Sequence, residues 1–329
     1  MTKSLKILTN FAGHYSDSLE RHYNFQDYSE DSDANIFLNG LGTLMGVYDN
    51  ENFANELQKF KNKIHYNHEH PCAWTSNDVG YMRKSADTKK IFNRIYTICP
   101  YSAEWLNKVQ GSERFVPTYF PFNENQIVHE KQEKIYDTIY WGGVHSDDHM
   151  HILNTISKFK HHFFTLGPAE WIKSQEQSYY KYITHMNAAR SEMWDVLRKT
   201  KVNILVNLLH LKEEQKNNIK NIGGWEKNKA FSHVDEGIVP QFKTRPIESA
   251  VNRTLMLVKK DPWNVIEYWF KPDEHFLYYE NNEELEEKVR DICNNWNDYE
   301  HIVESAFSYA LQNYTTKSFI EQMKKDLNE

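Results

Sequence analysis

The chain has little cysteine, no long apolar run and no dense run of positive charge. Three cysteines, Cys72, Cys99 and Cys293, are too few and too scattered over 329 residues for a disulfide framework or a structural zinc site. No apolar stretch approaches the roughly 18 residues that a membrane-spanning helix needs. The opening MTKSLKILTNF enters a strand pattern at once, without the apolar core and cleavage site of a secretory leader. The expectation is a cytoplasmic protein with no membrane span. A net charge of −7 and a pI near 6.2 leave no basic footprint, since the Lys199–Lys201 cluster is small, and this counts against a nucleic-acid partner.

Several catalytic signatures are also missing. There is no Gly-x-Ser-x-Gly elbow, no Gly-x-x-x-x-Gly-Lys-Ser/Thr loop and no His-Glu-x-x-His, and no Gly-x-Gly-x-x-Gly follows the first strand. What is present, at 40% hydrophobic and 26% charged residues, is an alternation of strand-like and helix-like runs, the pattern of a doubly wound α/β fold. Leu5 to Phe11 reads as a first strand, followed by a polar loop from Gly13 to Ser18. Phe53, Leu57, Phe60 and Ile64 recur at helical spacing and predict a helix over 53–64. Residues 94–109 read as a strand leading into a helix, with Ser102 as its N-cap. A fresh strand begins near Asp137 and ends in Gly142-Gly143, a turn at which backbone can approach a ligand closely; a helix follows, capped by Ser146, Asp147 or Asp148. Residues 201–210 form a strongly apolar strand of the kind buried in a parallel sheet. Residues 211–240, long and polar, read as a mobile loop or insertion near the active cleft.

The most informative stretch is Gln241 to Tyr279. It predicts a short helix from Pro246 to Asn252, a buried strand from Thr254 to Val258, a helical turn near Val265 to Phe270 and a strand from His275 to Tyr279. Glu248 lies in the first turn of that helix, just after Lys243, Thr244 and Arg245. Helix N-termini carry partial positive charge and unpaired N–H groups that suit a phosphate. A carboxylate one turn further in can accept hydrogen bonds from a ribose diol, so the arrangement suits a nucleotide-sugar. On the blander reading Glu248 is a solvated carboxylate in an ordinary αβαβ unit.

Arg245, Glu248, the strand TLMLV, Phe270, Pro272 and Glu274 carry a family resemblance. It continues through helices at 282–295 and 299–314 and a closing Tyr-Thr-Thr at 314–316. The segment resembles the donor-binding half of GT-B glycosyltransferases, especially the spore-maturation-type and group 1 enzymes. The resemblance implies an α/β fold of two Rossmann-like domains facing across a cleft. Residues 1–125 would be the acceptor-side domain and 133–312 the nucleotide-sugar-binding domain. Residues 313–329 would form a C-terminal helix crossing back to the first. It implies transfer of a sugar from a nucleotide-diphosphate sugar, used as substrate with no cofactor and no metal, to a hydroxyl acceptor: a glycan, a small molecule or, less in keeping with the charge, a nucleic acid. Glu248 would bind the donor ribose, Arg245 and Lys243 would neutralise the diphosphate, with Thr244 beside them, and Gly142 and Gly143 would admit its phosphates. Glu248→Gln would then lower donor affinity and leave thermal stability nearly intact.

Two departures from that pattern stand out. Retaining members carry a second glutamate eight positions before this one, and here that position is Pro240. The small-residue motif that follows the glutamate is replaced by Ala250-Val251-Asn252-Arg253, where Arg253 would crowd a diphosphate or pair with it.

The base of an inverting transfer would come from the first half, and Glu69 and His14 are its candidates. Trp74, Tyr81 and Tyr119 are candidates for an acceptor platform. The rival chemistry is metal-dependent hydrolysis at His65, His68 and His70 or at His145, His149 and His151, although sixteen histidines make chance clusters common. The residues also admit a nucleotide-sugar-binding protein without turnover, and a sugar-nucleotide epimerase of GT-B architecture.

Overall fold

Runs of β-branched and aromatic residues, each too short to be a helix, build two parallel sheets. The computed structural model describes residues 7–10, 25–26, 36–39, 62–67, 90–144, 146–165, 181–186, 188–222 and 228–327. The chain divides into two units, the first made of Met1–Gln126, Leu208–Lys243 and Asn313–Glu329 and the second of Ile127–Asn207 and Thr244–Gln312.

The first unit holds β1 (Ile7–Asn10), β2 (Phe25–Gln26), β3 (Ile36–Asn39), β4 (Asn62–Asn67), β5 (Arg94–Thr97) and β6 (Phe115–Pro117). Their order is β2-β1-β3-β4-β5-β6, parallel throughout. Of the helix expected over 53–64, residues 53–61 lie outside the described residues, and Asn62, Lys63 and Ile64 belong to β4 instead. Helix α1 (Pro100–Gln110) starts at proline, whose missing N–H costs nothing at a first turn. Ser102, expected as the N-cap, is therefore inside the helix and fully buried, and Cys99 holds the cap position.

In the second unit, β7 (Tyr136–Trp141) is followed by α2 (Asp147–Ile156), β8 (His161–Thr165), β9 (His185–Met186), α3 (Arg190–Arg198) and β10 (Thr200–Leu205). Of the three candidate caps it is Ser146 that closes the start of α2, its side chain accepting from His149 N. The chain then returns to the first unit for β11 (Leu208–His210), α4 (Glu213–Ile222) and β12 (Ile238–Pro240), with β11 and β12 paired antiparallel. The segment 211–240 thus contains a helix and a strand rather than an uninterrupted loop. Ile219 is fully buried from α4, and Gln215 Oε1 accepts from Lys212 N at the start of that helix. After α5 (Arg245–Val251) come β13 (Leu255–Lys259), β14 (Leu277–Tyr279), α6 (Asn282–Asn294) and α7 (Trp296–Asn313). The second sheet runs β14-β13-β10-β7-β8-β9, again all parallel. Residues 202, 204 and 255–258 are buried, as a sheet covered on both faces requires. Ile152, Leu153 and Ile156 of α2 and Leu285, Val289 and Ile292 of α6 supply much of the helical side of that core.

The last helix, α8 (Thr316–Leu327), packs within the first unit. Phe319 meets the rings of Tyr66 and Tyr96 edge-on, with centroids 5.9 and 5.7 Å away, and Tyr96 Oη donates to Asp326 Oδ2 at 2.9 Å. Edge-on pairs of this kind are worth about 0.5–1.5 kcal/mol each beyond the area they bury. Among the described residues no helix is long and apolar enough to cross a membrane.

At the N-terminal end of the second sheet, polar groups close a small cavity of about 60 Å³ lined by Lys134, Arg198, Asn252, Arg253, Trp296 and Glu304, among others. Arg253 has a positive φ of 52°; its guanidinium lies over the Phe307 ring at 3.5 Å and pairs with Glu304 at 3.0 Å. It is committed to α7, which leaves neither role imagined for it beside a diphosphate. Lys134 Nζ donates to Arg198 O at 2.8 Å and Arg253 O at 2.6 Å, tying together the C-terminal ends of α3 and α5. Burial, helped by the nearby Arg253 charge, pushes the Lys134 ammonium down to about 7. From there up to the ordinary lysine value of 10.5, the unfolded chain holds a proton at this residue that the folded chain lacks. Stability linked to Lys134 therefore rises with pH over that window, and the burial penalty is fully present below it. Lys134→Met removes the titration, so wild-type stability should gain on the variant between pH 7 and 10 in chemical denaturation. A difference that stays flat with pH would refute the depressed value.

Candidate functional site

From β7 the chain steps outward through β8 and β9, then crosses to the other side of β7 for β10, β13 and β14. Strand order thus reverses between β7 and β10. Loops leaving the C-terminal ends of two such strands diverge, which opens a crevice where ligands of open α/β sheets bind. Trp141 ends β7 and Leu205 ends β10.

Arg245, the first residue of α5, sits astride this point. Its Nη1 donates to Trp141 O and its Nη2 to Val206 O, both at 3.3 Å. No carboxylate pairs with it among the described residues, so a half-buried positive charge is held at the reversal. Gly142 has φ +136°, a backbone region that side chains rarely adopt, and a Cβ there would lie 3.3 Å from Arg245 Nη1. Glycine is needed twice over, for the turn and for the approach of the guanidinium. Tyr140 Oη donates to Gly143 O at 3.1 Å, which fixes the next peptide, and burial pushes the Tyr140 phenol up against the opposing pull of Arg245. The start of α5 is pinned to β10 by a relay in which Asn203 Nδ2 donates to Ser249 Oγ and Ser249 Oγ to Arg245 O, both at 2.7 Å.

Glu248 is not a solvated helix-start carboxylate; it is 2% exposed. Its Oε1 accepts from Arg190 Nε at 2.8 Å, from Arg190 Nη2, and from Trp194 Nε1 at 3.2 Å. Its Oε2 is buried and meets no hydrogen-bond partner among the described residues. Arg190 and Trp194 stand four apart on α3 and so share a face, with the guanidinium 5.6 Å from the indole centroid. Sequence reading missed both, because an Arg-x-x-x-Trp spacing gives no sign of which distant carboxylate it will meet.

The structure therefore brings Gly142, Gly143, Arg245 and Glu248 together within the second unit. Thr244 opens that unit as a buried N-cap residue whose side chain makes no capping bond; its carbonyl accepts from Glu248 N at 2.9 Å. Lys243 is the last residue of the segment assigned to the first unit. His14 and Glu69 lie outside the described residues, as do Trp74, Tyr81, His68, His70 and His145. Tyr119 is 4% exposed, with its ring against Tyr314, so it is a core residue rather than part of an exposed platform. His65 is buried in β4, and His149 turns inward against Ser146 Oγ at 2.8 Å while Asp148 pairs with Lys259. Among the described residues no three His, Cys, Asp or Glu side chains gather where they could hold a metal ion.

A family model described as glycosyl transferase-like matches residues 150–325. Among solved structures, Anabaena HepE in complex with UDP and glucose aligns with a TM-score of 0.63 at 9% identity, over 98% of this chain and 91% of that one. TarM aligns with a TM-score of 0.58 at 12% identity, over 92% of this chain and 55% of that one. Sucrose-phosphate synthase from Thermosynechococcus elongatus aligns with a TM-score of 0.58 at 9% identity, over 95% and 75%. At these identities the likeness is one of fold: α/β with two Rossmann-like units, the GT-B architecture expected from the sequence. The chain spans a little over half the length of the TarM structures it matches. No curated protein matches its sequence.

The contact between Gly142 and Arg245 gives a direct test. Gly142→Ala should cost about 1–3 kcal/mol, because alanine is strained at this φ and its Cβ crowds the guanidinium. Combined with Arg245→Ala it should cost less than the sum of the two, by roughly 0.5 kcal/mol or more. Strict additivity in urea denaturation would remove the steric link.

Proposed function

The chain belongs to the glycosyl transferase-like family, and on that premise we propose that it transfers a sugar from a nucleotide-diphosphate sugar to a hydroxyl acceptor. The observation that carries this reading is Arg245 at the strand-order reversal, with the buried carboxylate of Glu248 one helical turn away. The guanidinium, anchored to two carbonyls and without an acidic partner among the described residues, would face the diphosphate and stabilise it as the sugar leaves. Lys243 would add a second positive charge, Thr244 would lie beside it, and Gly142 and Gly143 would let the phosphates approach the backbone. Glu248 would take a ribose hydroxyl. With neutralisation assigned to side chains, the transfer needs no divalent metal.

Glu69 and His14 remain the proposed sources of the base that takes the acceptor proton. The domain assignment follows the same reading, with 1–125 on the acceptor side, 133–312 holding the donor apart from Leu208–Lys243, which group with the first unit, and 313–329 as a closing helix, and a cytoplasmic location goes with it. UDP is the first nucleotide to try, since it is bound in the HepE complex. A second reading, binding without turnover, is favoured by Pro240 standing where retaining members carry an acid. It would be recognised by a UDP-sugar that binds yet is neither hydrolysed nor transferred.

A thermal-shift screen with UDP, GDP, ADP and CMP, with and without EDTA, tests the proposal. One nucleoside diphosphate should raise Tm by several degrees regardless of EDTA, since a ligand at a hundred times its Kd adds about 2.7 kcal/mol. No shift with any nucleotide would defeat it. The burial of Glu248 also changes what its substitution should do. Glu248→Gln leaves the Arg190 charge without its anion, so it should cost on the order of 1–3 kcal/mol of stability as well as donor affinity. Donor affinity equal to wild type would remove Glu248 from the site.

A further inference from the structure

Arginine and a carboxylate usually meet fork to fork, with two parallel N–H groups on two oxygens. Here two of the guanidinium nitrogens of Arg190, Nε and Nη2, donate to the same oxygen, Glu248 Oε1. The Trp194 indole N–H goes there too. Three donors converge on an oxygen with two lone pairs, while Oε2 has none and is shielded from solvent. A buried acceptor without a donor is costly, and among the described residues nothing meets it. The asymmetry is built into the fold. Arg190 and Trp194 stand on one face of α3, Arg198 extends that face and donates to Asn252 Oδ1, and Asn252 Nδ2 donates to Glu248 O. The carboxylate is thus held from its side chain and from its own helix, with only Oε2 uncommitted.

We infer that Arg190 and Trp194 are positioning residues that restrict Glu248 to a single open oxygen, so that the site reads one hydroxyl of the donor ribose and not the diol. A carboxylate with both oxygens free would bond each hydroxyl separately, and loss of either would weaken binding alike. With Oε1 saturated, a ribose that displaces the cover over Oε2 places one hydroxyl on it, and the neighbouring hydroxyl meets an atom that has no capacity left. The inference rests on the nucleotide-sugar reading and adds to it a rule of specificity, namely tolerance for one deoxyribose and not the other.

The test is calorimetric titration of the full chain with UDP, 2′-deoxy-UDP and 3′-deoxy-UDP, or the matching GDP or ADP set should one of those be the nucleotide bound. One deoxy analogue should bind within about threefold of the parent, and the other should lose about tenfold to a hundredfold, the range of one hydrogen bond to a charged group. Trp194→Phe withdraws only the indole donor and Arg190→Ala withdraws the fork. Arg190→Ala leaves one donor on the two lone pairs of Oε1 and should make the tolerated analogue lose affinity as well; Trp194→Phe alone leaves both filled and should not, and Arg190→Lys combined with Trp194→Phe keeps this arm open if Arg190→Ala does not fold. Equal losses for both analogues in the wild type would overturn the inference and leave the nucleotide reading standing. No loss for either would take Glu248 off the ribose and overturn it too. Failure of every nucleotide to bind would bring down the reading on which it rests.

Discussion

In the second sheet, β7 has neighbours reached by crossovers in opposite directions, β8 on one side and β10 on the other. The ends of these two strands consequently have no shared loop to cover them. Carbonyls that leave a sheet still need donors, and at this point Arg245 provides two, one to Trp141 and one to Val206. The rest of the site follows from keeping that guanidinium in place. Gly142 makes room for it, the Asn203–Ser249 relay seats its helix on β10, and Glu248 comes one turn later because α5 starts where it does.

Two helices then form a continuous polar seam. The face of α3 that carries Arg190, Trp194 and Arg198 lies against the face of α5 that carries Glu248, with Asn252 at its cap. Buried polar groups of this kind stabilise only when each is met, and a missing partner costs more than the bond would have contributed. Along this seam the groups are met with few exceptions, of which Arg198 Nε and Glu248 Oε2 are two. The second is the buried acceptor on which the proposed ribose contact rests. At the opposite end Lys134 donates to two carbonyls and Arg253 pairs with Glu304, contacts that hold α3, α5 and α7 together.

The first unit is assembled from three separated stretches of chain. Its sheet alone does not complete its core. Phe319 from α8 fills the space between Tyr66 and Tyr96, and Phe231 from the middle stretch stacks edge-on against Trp105 of α1 at 4.5 Å. Residues more than two hundred positions apart thus share one hydrophobic core, and the unit depends on the chain returning to it twice.

Local periodicity was enough to read the elements of the second half. The strand after α5 and the helices expected at 282–295 and 299–314 announce themselves, because β-branched runs and 3.6-residue spacing act over a few neighbours, whereas the apolar run at 201–210, expected as one strand, ends in β10 at Leu205 and its last residues leave the sheet for β11. So did Gly142, Arg245 and Glu248, since a turn glycine and residues opening a helix are local features. Where a residue's fate turned on a distant partner, the sequence was silent. Asn62 to Ile64 entered a strand because β3 and β5 were there to pair with, against a helical spacing of their own. Arg253 went to Glu304 and Phe307, 51 and 54 positions on, and Tyr119 went into a core completed by Tyr314. Glu248 looked solvated because nothing near it in sequence could bury it, and only the packing of α3 on α5 brings Arg190 and Trp194 to its side. The sequence by itself determined the αβ alternation and singled out the glycine, arginine and glutamate of the proposed site. Tertiary structure alone decided that the arginine spans a strand-order reversal and that the glutamate keeps one oxygen open, because both depend on contacts between segments that no local pattern encodes.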